Sequence, residues 1–406
     1  MESKTLVQIN TVCNGSHGRI MSQLQYAARE KGINAYVAFA RGEPNASGRC
    51  IRIGTQTDVL LHGLFSRLLD GQGFASRRAT RDLVRALEAL RPDLIHLHNL
   101  HGYYLHLETL FNYLKTAGIP VVWTLHDCWA FTGHCSHFVR AQCDRWQHGC
   151  YDCPLKREYP ASLLLDQSRK NYVRKREIFQ GVPNLTLIAP SHWLGDLVGQ
   201  SMLQDYPLHI IPNGIDLARF IPQECITVRG KWQIPSDAKI LLAVASPFDA
   251  RKGYADLLRL AARLGKTVRL VMIGLTSKQV QSLPPDITGI MRTEDVAELS
   301  AWYAAADAFV NTTYEDTYPT VNMEAMASGT PVICYRVGGC AEQIPEDCGM
   351  LVPVGDEVAL CDAVEYVLSK GKSFYMQRVR AHACAYFDGA DSIHSYLACY
   401  QALLGE

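Results

Sequence analysis

Two carboxylates stand eight residues apart in Asp316-Thr-Tyr-Pro-Thr-Val-Asn-Met-Glu324, a stretch that continues Ala-Met-Ala-Ser-Gly-Thr-Pro-Val332. Pro319 favours a turn, and residues 321–327 read as the opening of a helix. The first backbone N–H groups of a helix have no partner inside it, so they attract phosphates and sugar oxygens. Glu324 lies about one turn into that helix, near the same mouth. Gly329 stops the helix, and residues 331–334 read as a short buried strand. A carboxylate, a row of amides and a second carboxylate around one crevice suit a ligand that is both polyhydroxylated and phosphorylated. A nucleotide sugar has that chemistry.

Other chemistry-bearing groups sit at similar places. Ser246-Pro-Phe-Asp-Ala-Arg251-Lys252-Gly253 puts two adjacent cations after a buried strand, where they can hold a diphosphate. Thr124-Leu-His126-Asp127 ends another strand. The histidines at 96 and 98 fall on one face of a further strand and read as packing residues or as lining for an acceptor. The turn from Asn10 to Arg19 carries glycines at 15 and 18, a weak signal on its own.

The elements that must position these groups alternate. Strand-like runs occupy residues 6–9, 35–40, 94–97, 121–125, 185–189 and 209–211. They are separated by a loop to Gly18, a helical stretch to residue 31 and a helix at 83–90. The turn-rich Ile211-Pro-Asn-Gly-Ile-Asp216 breaks the chain, after which the design repeats. Strands are expected at 240–244, 268–273 and 308–310, helices at 254–264 and 296–306, and a last helix at about 393–404. Short apolar runs alternating with helices imply parallel sheets covered on both faces. Ligands of such sheets bind at the carboxyl ends of the strands.

Length and composition limit the alternatives. A chain of 406 residues suits two domains, and 48% hydrophobic with 20% charged residues describes a globular protein. Lys plus Arg equal Asp plus Glu at 40 each, so no global field points to nucleic acid. No uncharged apolar run is long enough to span a bilayer. The chain starts almost directly with a strand and lacks the apolar core of a signal peptide, which gives a cytoplasmic expectation.

The segment from residue 316 to 332 resembles the donor-binding signature of the family 4 retaining glycosyltransferases, written Glu, seven residues, Glu, then Ala-Met-Ala-x-Gly-x-Pro-Val. The first acid here is Asp316, one methylene shorter, with Glu315 one residue out of register. Asp316 is the better match, because Glu-Asp-x-hydrophobic-Pro occurs in a branch of the family that builds bacterial exopolysaccharides of the colanic-acid type. The resemblance implies an α/β GT-B fold, two doubly wound Rossmann-like domains facing a central cleft. It places an acceptor-side domain at 1–211, with a cysteine-rich insert at 128–154. A nucleotide-sugar domain follows at 212–390, and a helix at 391–406 packs back on the first.

The resemblance also implies roles. The donor, a nucleotide-diphosphate sugar, would be held by Arg251 and Lys252, by the main chain of Pro319, Thr320, Val321 and Asn322, and by Gly18 and Arg19. Members usually carry an Arg about five residues before the Lys-Gly pair. Pro247 stands there, which leaves Arg251 to supply the second charge. His126 would hydrogen-bond the donor sugar, and Asp316 and Glu324 would complete the reacting site. The acceptor would be a glycan or a lipid-linked glycan, and the anomeric configuration would be retained. No Asp-x-Asp motif is placed to hold a divalent ion, so no catalytic metal is expected. Two competing readings are a sugar-nucleotide epimerase of the same fold and a non-catalytic zinc-dependent binding module.

Fourteen cysteines are many for such a chain. Cys334, Cys361, Cys384 and Cys399 stand singly and read as small buried hydrophobes. Cys128, Cys135, Cys143, Cys150 and Cys153 cluster, interleaved with histidines at 134, 137 and 148. The terminal Cys-x2-Cys predicts structural Zn²⁺ on Cys135, Cys143, Cys150 and Cys153, with free thiols or disulfides as the competing readings. Two basic stretches, residues 169–176 and the arginines at 77, 78 and 81 near the apolar residues 59–65, suggest docking on an anionic membrane surface, the inner face of the plasma membrane; a solvated face is the plainer reading of the first.

Overall fold

Runs such as Leu-Ile-His-Leu at 94–97 and Val-Ile-Cys-Tyr at 332–335 leave no face for water, so the strands they form must be covered on both sides. The computed structural model describes residues 3–405 apart from 14, 44–47, 224, 225 and 266. It divides the chain into two compact units, Met1–Ile211 with Ile393–Glu406, and Pro212–Ser392.

The first unit is built on β1 (Thr5–Val12), β2 (Asn34–Arg41), β3 (Cys50–Arg52), β4 (Leu94–Leu97), β5 (Val121–Thr124), β6 (Leu185–Ala189) and β7 (Leu208–Ile210). The sheet order is β3-β2-β1-β4-β5-β6-β7, with every neighbouring pair parallel. β1 runs further than its apolar run predicts. Asn10 pairs with Phe39 and Val12 with Arg41. The polar Asn10 and Thr11 concealed this extension. The helix that follows begins at Gly15, so Gly18 lies in its first turn and not in a preceding loop.

One face of this sheet is covered by the core that holds Phe111, Trp123 and Phe179, whose rings pack at steep angles within 6 Å of one another (5.8, 4.7 and 5.0 Å between centroids). The other core joins Leu6, Leu94, Val122 and Ile188 to Tyr396, Leu397 and Tyr400 of the helix Gly389–Leu404. Burial of that helix's aromatic stripe is what fixes it to the sheet.

The second unit carries β8 (Lys239–Val244), β9 (Val268–Ile273), β10 (Ile287–Ile290), β11 (Ala308–Asn311), β12 (Val332–Tyr335) and β13 (Gly349–Val352). Its order is β10-β9-β8-β11-β12-β13, again parallel throughout. In each sheet the order reverses once, between β1 and β4 and between β8 and β11. Connections leave for opposite faces on either side of such a point and open a crevice beyond the strand ends.

Two buried histidines tie the first unit's stability to pH. His96 lies in the aromatic layer, its Nδ1 2.6 Å from the Tyr400 hydroxyl and its Nε2 2.8 Å from Thr124 Oγ1. Burial lowers its pKa to about 3. His62 accepts from the Gly73 N–H at 3.2 Å and faces Ser76 Oγ at 2.9 Å, and burial lowers its pKa to about 4. Both stay neutral in the fold, while an unfolded histidine takes a proton near pH 6.5. The unfolded chain therefore binds more protons between pH 6.5 and 3–4. Stability is whole above that window and falls as pH drops through it, by on the order of a few kcal/mol. Thermal unfolding followed from pH 7 to 4.5 should show a falling midpoint, and His62→Gln, which takes no proton there, should make the slope shallower.

Candidate active site

The crevice of the second unit is made by two loops. One follows β8 and carries Arg251 and Lys252; the other follows β11 and carries Asp316. Backbone contacts zip them together. The Tyr314 N–H donates to Arg251 O at 2.8 Å, and Thr312 Oγ1 donates to the carbonyls of Lys252 and Gly253, both at 3.2 Å. Gly253 has φ +67°, and a Cβ there would lie 2.2 Å from Thr312 O. Only glycine lets the loops approach so closely. The approach brings Lys252 Nζ to 2.6 Å from Asp316 Oδ2, with the two side chains 17 and 19% exposed.

A second clamp holds Asp316 from the β12 side. Gly339 N–H donates to Asp316 O at 3.2 Å, and a Cβ on Gly338 (φ +52°) would meet that oxygen at 2.0 Å. Sequence reasoning passed over this glycine pair; its signal was a Gly-Gly turn two residues after a buried strand. Glu315 is buried, and its carbonyl accepts from Arg251 Nη1 at 3.4 Å and Thr313 Oγ1 at 3.0 Å. Of the two neighbouring acids, Asp316 is the one that meets the lysine.

The helix Thr320–Ala327 starts beside this pair. Pro319 occupies its N-cap and no side chain caps it, so the first-turn amides of Thr320, Val321 and Asn322 are not taken by a capping group. The Asn322 side chain is committed elsewhere. Its Oδ1 accepts from Asn311 Nδ2 at 2.9 Å, and its Nδ2 donates to Gln343 Oε1 at 3.0 Å. Gln343 Nε2 in turn donates to Pro319 O at 3.1 Å. This satisfied, buried network fixes the helix mouth against the end of β11, and leaves Asn322 its main chain for a ligand. Glu324 is nearly buried and accepts from the Tyr303 hydroxyl at 2.9 Å. Burial first, and the Glu324 carboxylate second, push the Tyr303 phenol well above its ordinary pKa, so its proton stays in place as a donor. Tyr303 has no signal in the motif.

In the first unit the ends of β1, β4 and β5 meet. His98 Nδ1 lies 3.2 Å from His126 Nε2, with the rings stacked, and His98 Nε2 lies 3.2 Å from Gln8 Oε1. Gln8 Nε2 donates to Met21 O at 3.0 Å, which turns its oxygen toward His98. His98 therefore carries its proton on Nε2 and accepts on Nδ1, and His126 donates from Nε2. Around them His101 Nε2 is 2.7 Å from Asp127 Oδ2 and His101 Nδ1 is 2.8 Å from the Tyr159 hydroxyl. Burial would raise the Asp127 pKa, but His101 and the Trp129 N–H hold it well below the carboxylate range. His98 and His126 were legible from the sequence, and the polar Gln8 in an apolar strand was the further clue that links them.

Gly18 serves close packing. A Cβ there would lie 2.4 Å from the carbonyl carbon of Cys13, so a side chain would push the helix off the strand end. Arg19 follows on the exposed side.

Cys135, Cys143, Cys150 and Cys153 line one small cavity with His134, Phe138 and Trp146. His134 Nδ1 lies 2.6 Å from Asp70 Oδ1, while its Nε2 is buried without a hydrogen-bond partner. The described cysteines are free thiols. As the side chains stand, no three His, Cys, Asp or Glu among the described residues are placed to hold a metal ion. The spacing thus gathers the thiols without arranging them as a ligand set. Of the single cysteines, Cys334 is buried as expected, but Cys361 and Cys399 are half-buried and Cys384 is exposed, because each sits on a helix flank turned partly or wholly to solvent. The basic run at 169–176 is likewise no uniform surface. Lys175 is buried over the Trp129 ring, with its ammonium donating to the carbonyls of Trp129 and Thr132. Burial lowers its pKa to about 7.

Residues 18–219 match the family model described as Glycosyltransferase Family 4, and residues 238–370 match the one described as Glycosyl transferases group 1. The chain belongs to the family 4 glycosyltransferases. Its relative "Putative colanic acid biosynthesis glycosyl transferase WcaC" of Escherichia coli is 24% identical, over 98% of this chain and the whole of that protein. Sucrose-phosphate synthase from Thermosynechococcus elongatus superposes with a TM-score of 0.74 at 20% identity, covering 99% of both chains. Anabaena HepE, solved in complex with UDP-glucose, gives 0.69 at 14% identity, covering 98% of this chain and 99% of that one. These neighbours identify the fold as GT-B.

The close approach at Gly253 makes a direct test. Gly253→Ala adds a side chain at positive φ against a carbonyl and should cost roughly 1–3 kcal/mol. Denaturant unfolding should show that loss, and nucleotide-diphosphate binding by calorimetry should weaken with it, since the loop can no longer seat Lys252.

Proposed function

We propose that this family 4 glycosyltransferase moves a hexose-type sugar from a nucleotide-diphosphate sugar to a glycan or lipid-linked glycan. The anomeric configuration is retained, and the product belongs to exopolysaccharide synthesis. The observation that carries this reading is the Lys252–Asp316 pair at the point of strand-order reversal, beside a helix whose first amides no side chain caps. Cation and amides suit the diphosphate, and the carboxylate suits sugar hydroxyls. The HepE complex with UDP-glucose and the name of the Escherichia coli relative support the same donor chemistry and pathway class.

A lysine has three N–H donors. One can stay on Asp316 while the others meet phosphate oxygens, and Asp316 keeps acceptor sites for a hydroxyl. In the transfer the anomeric carbon loses its bond to the diphosphate oxygen and gains one to the acceptor oxygen. The acceptor's proton passes to the departing phosphate on the same face. Lys252, Arg251 and the amides of Thr320, Val321 and Asn322 stabilise the charge that develops on the diphosphate, a task that needs no divalent ion. Glu324, held by Tyr303, anchors the nucleotide side, and His126 hydrogen-bonds the donor sugar.

A panel of nucleotide sugars screened by calorimetry, then by transfer, tests this reading. One donor should bind and turn over, and added Mg²⁺ should leave the rate unchanged. Lys252→Ala should lower transfer by about 10²-fold or more with little change in melting temperature. Near-normal turnover in that variant would sink the assignment, as would a product that is only an epimerised donor.

The cysteine cavity is proposed separately as a structural Zn²⁺ site, whose thiols would have to turn inward to bind; it is supported by four thiols lining one cavity and by the unpartnered Nε2 of His134, whose other nitrogen Asp70 holds in the manner common at zinc. Elemental analysis of protein purified without chelators should find about one zinc per chain; protein free of zinc would overturn it.

A further inference from the structure

The helix Gln56–Leu69 is inside out. It buries His62 and Ser66 against the first unit and turns its leucines to solvent. Leu60, Leu61 and Leu64 are 72, 62 and 55% exposed, and Phe65 and Leu69 are each 37% exposed. Most of the groups turned inward are satisfied, His62 by Ser76 and Gly73, and Asp70 at the helix end by His134 and the Gln167 N–H, while Ser66 Oγ is buried without a hydrogen-bond partner. An apolar face outward has no such compensation within the chain.

The patch is larger than the helix. The Leu163 N–H donates to Arg67 O at 2.6 Å and the Leu165 N–H to Leu68 O at 3.3 Å. These bonds lay residues 163–165 along the end of the helix, with Leu163 and Leu164 57 and 64% exposed. Two segments a hundred residues apart thus present one contiguous leucine surface. Leucines scattered singly on a surface need no explanation, but a joined patch marks a contact.

The margin identifies the occupant. Arg67 projects from the helix itself, Lys156 Nζ reaches Leu164 O at 3.5 Å, and Arg157, Arg169 and Lys170 are exposed close by in the chain. Of the two acids in residues 156–170, Glu158 pairs with Arg140 and Asp166 accepts from the backbone of Cys153 and Ser168, and the four basic residues of that stretch outnumber them. An apolar centre with a basic rim matches the acyl boundary and the anionic headgroups of a bilayer. A two-fold dimer on this patch would set the two basic rims against each other.

We infer that the leucine face formed by residues 60–69 and 163–165 docks this protein on an anionic lipid surface, with leucines entering the acyl boundary and the basic rim at the headgroups. The inference goes beyond the proposed transfer reaction and is read without donor or acceptor, so either can fail alone.

Vesicle co-sedimentation of the full chain tests it, using phosphatidylcholine alone and mixed with phosphatidylglycerol. The protein should bind the mixed vesicles more strongly, less so as salt rises. Leu61→Gln with Leu64→Gln keeps helix propensity and should lower vesicle binding at least about tenfold, with the melting temperature and nucleotide-diphosphate binding unchanged. Three results would overturn the inference: wild-type protein that binds neither vesicle, a double variant that binds as wild type does, or a wild-type dimer made monomeric by the variant with no vesicle binding in either.

Discussion

A parallel sheet buried on both faces can meet a polar ligand only beyond the carboxyl ends of its strands, and widest where the strand order reverses. Much of the second unit's local structure follows from using that point. For a lysine after β8 to meet a carboxylate after β11, two loops must touch along their backbones. That contact forces glycine at 253, and the clamp from the loop after β12 forces it at 338, since a side chain at either would collide with a carbonyl. It also leaves the main-chain polar groups of the loops bonded to each other. The resulting ion pair is partly exposed and adds little to stability by itself. Its value lies in position, a cation and an acid held in register beside open helix amides.

The two units use the same sheet order for different chemistry. The second offers charge: Lys252 with Asp316, Arg251 over a backbone carbonyl, and an uncapped helix. The first offers imidazoles, linked from Gln8 through His98 to His126 and surrounded by the His101–Asp127 pair. Polar side chains inside strands would be costly if left unpaired. Here Gln8, His96 and Thr124 each find a partner, two of them through the helix Gly389–Leu404. The first unit's interior therefore tolerates a polar seam, and the tautomer of His126 is set by groups two residues removed from it.

Tyr303, Gln343 and Gly338 show where reading the sequence stops. Each acts on the motif from a different element: Tyr303 on Glu324, Gln343 on Pro319 and Asn322, Gly338 on Asp316. None lies at a spacing that a helix or strand period would mark. The helix Gln56–Leu69 fails in the opposite way. Its leucines have a good helical spacing, and periodicity alone would turn them inward. Hydrogen bonds to His62 and Asp70 decide otherwise, because an unmet buried polar group outweighs part of the apolar burial that an inward turn would give.

Local chemistry determined the parts that depend on neighbours in the chain. The alternation of apolar runs, the stop at Gly329, the cations at 251 and 252, and the acids at 316 and 324 are all legible from residue types and spacing, since each rests on backbone geometry or on side chains within a few positions. Tertiary structure decided which of Glu315 and Asp316 meets Lys252, which nitrogen of His126 carries a proton, that Lys175 is buried, and that a leucine face is left bare. Those outcomes are set by contacts between segments tens to hundreds of residues apart, where distance in the sequence carries no information about distance in space.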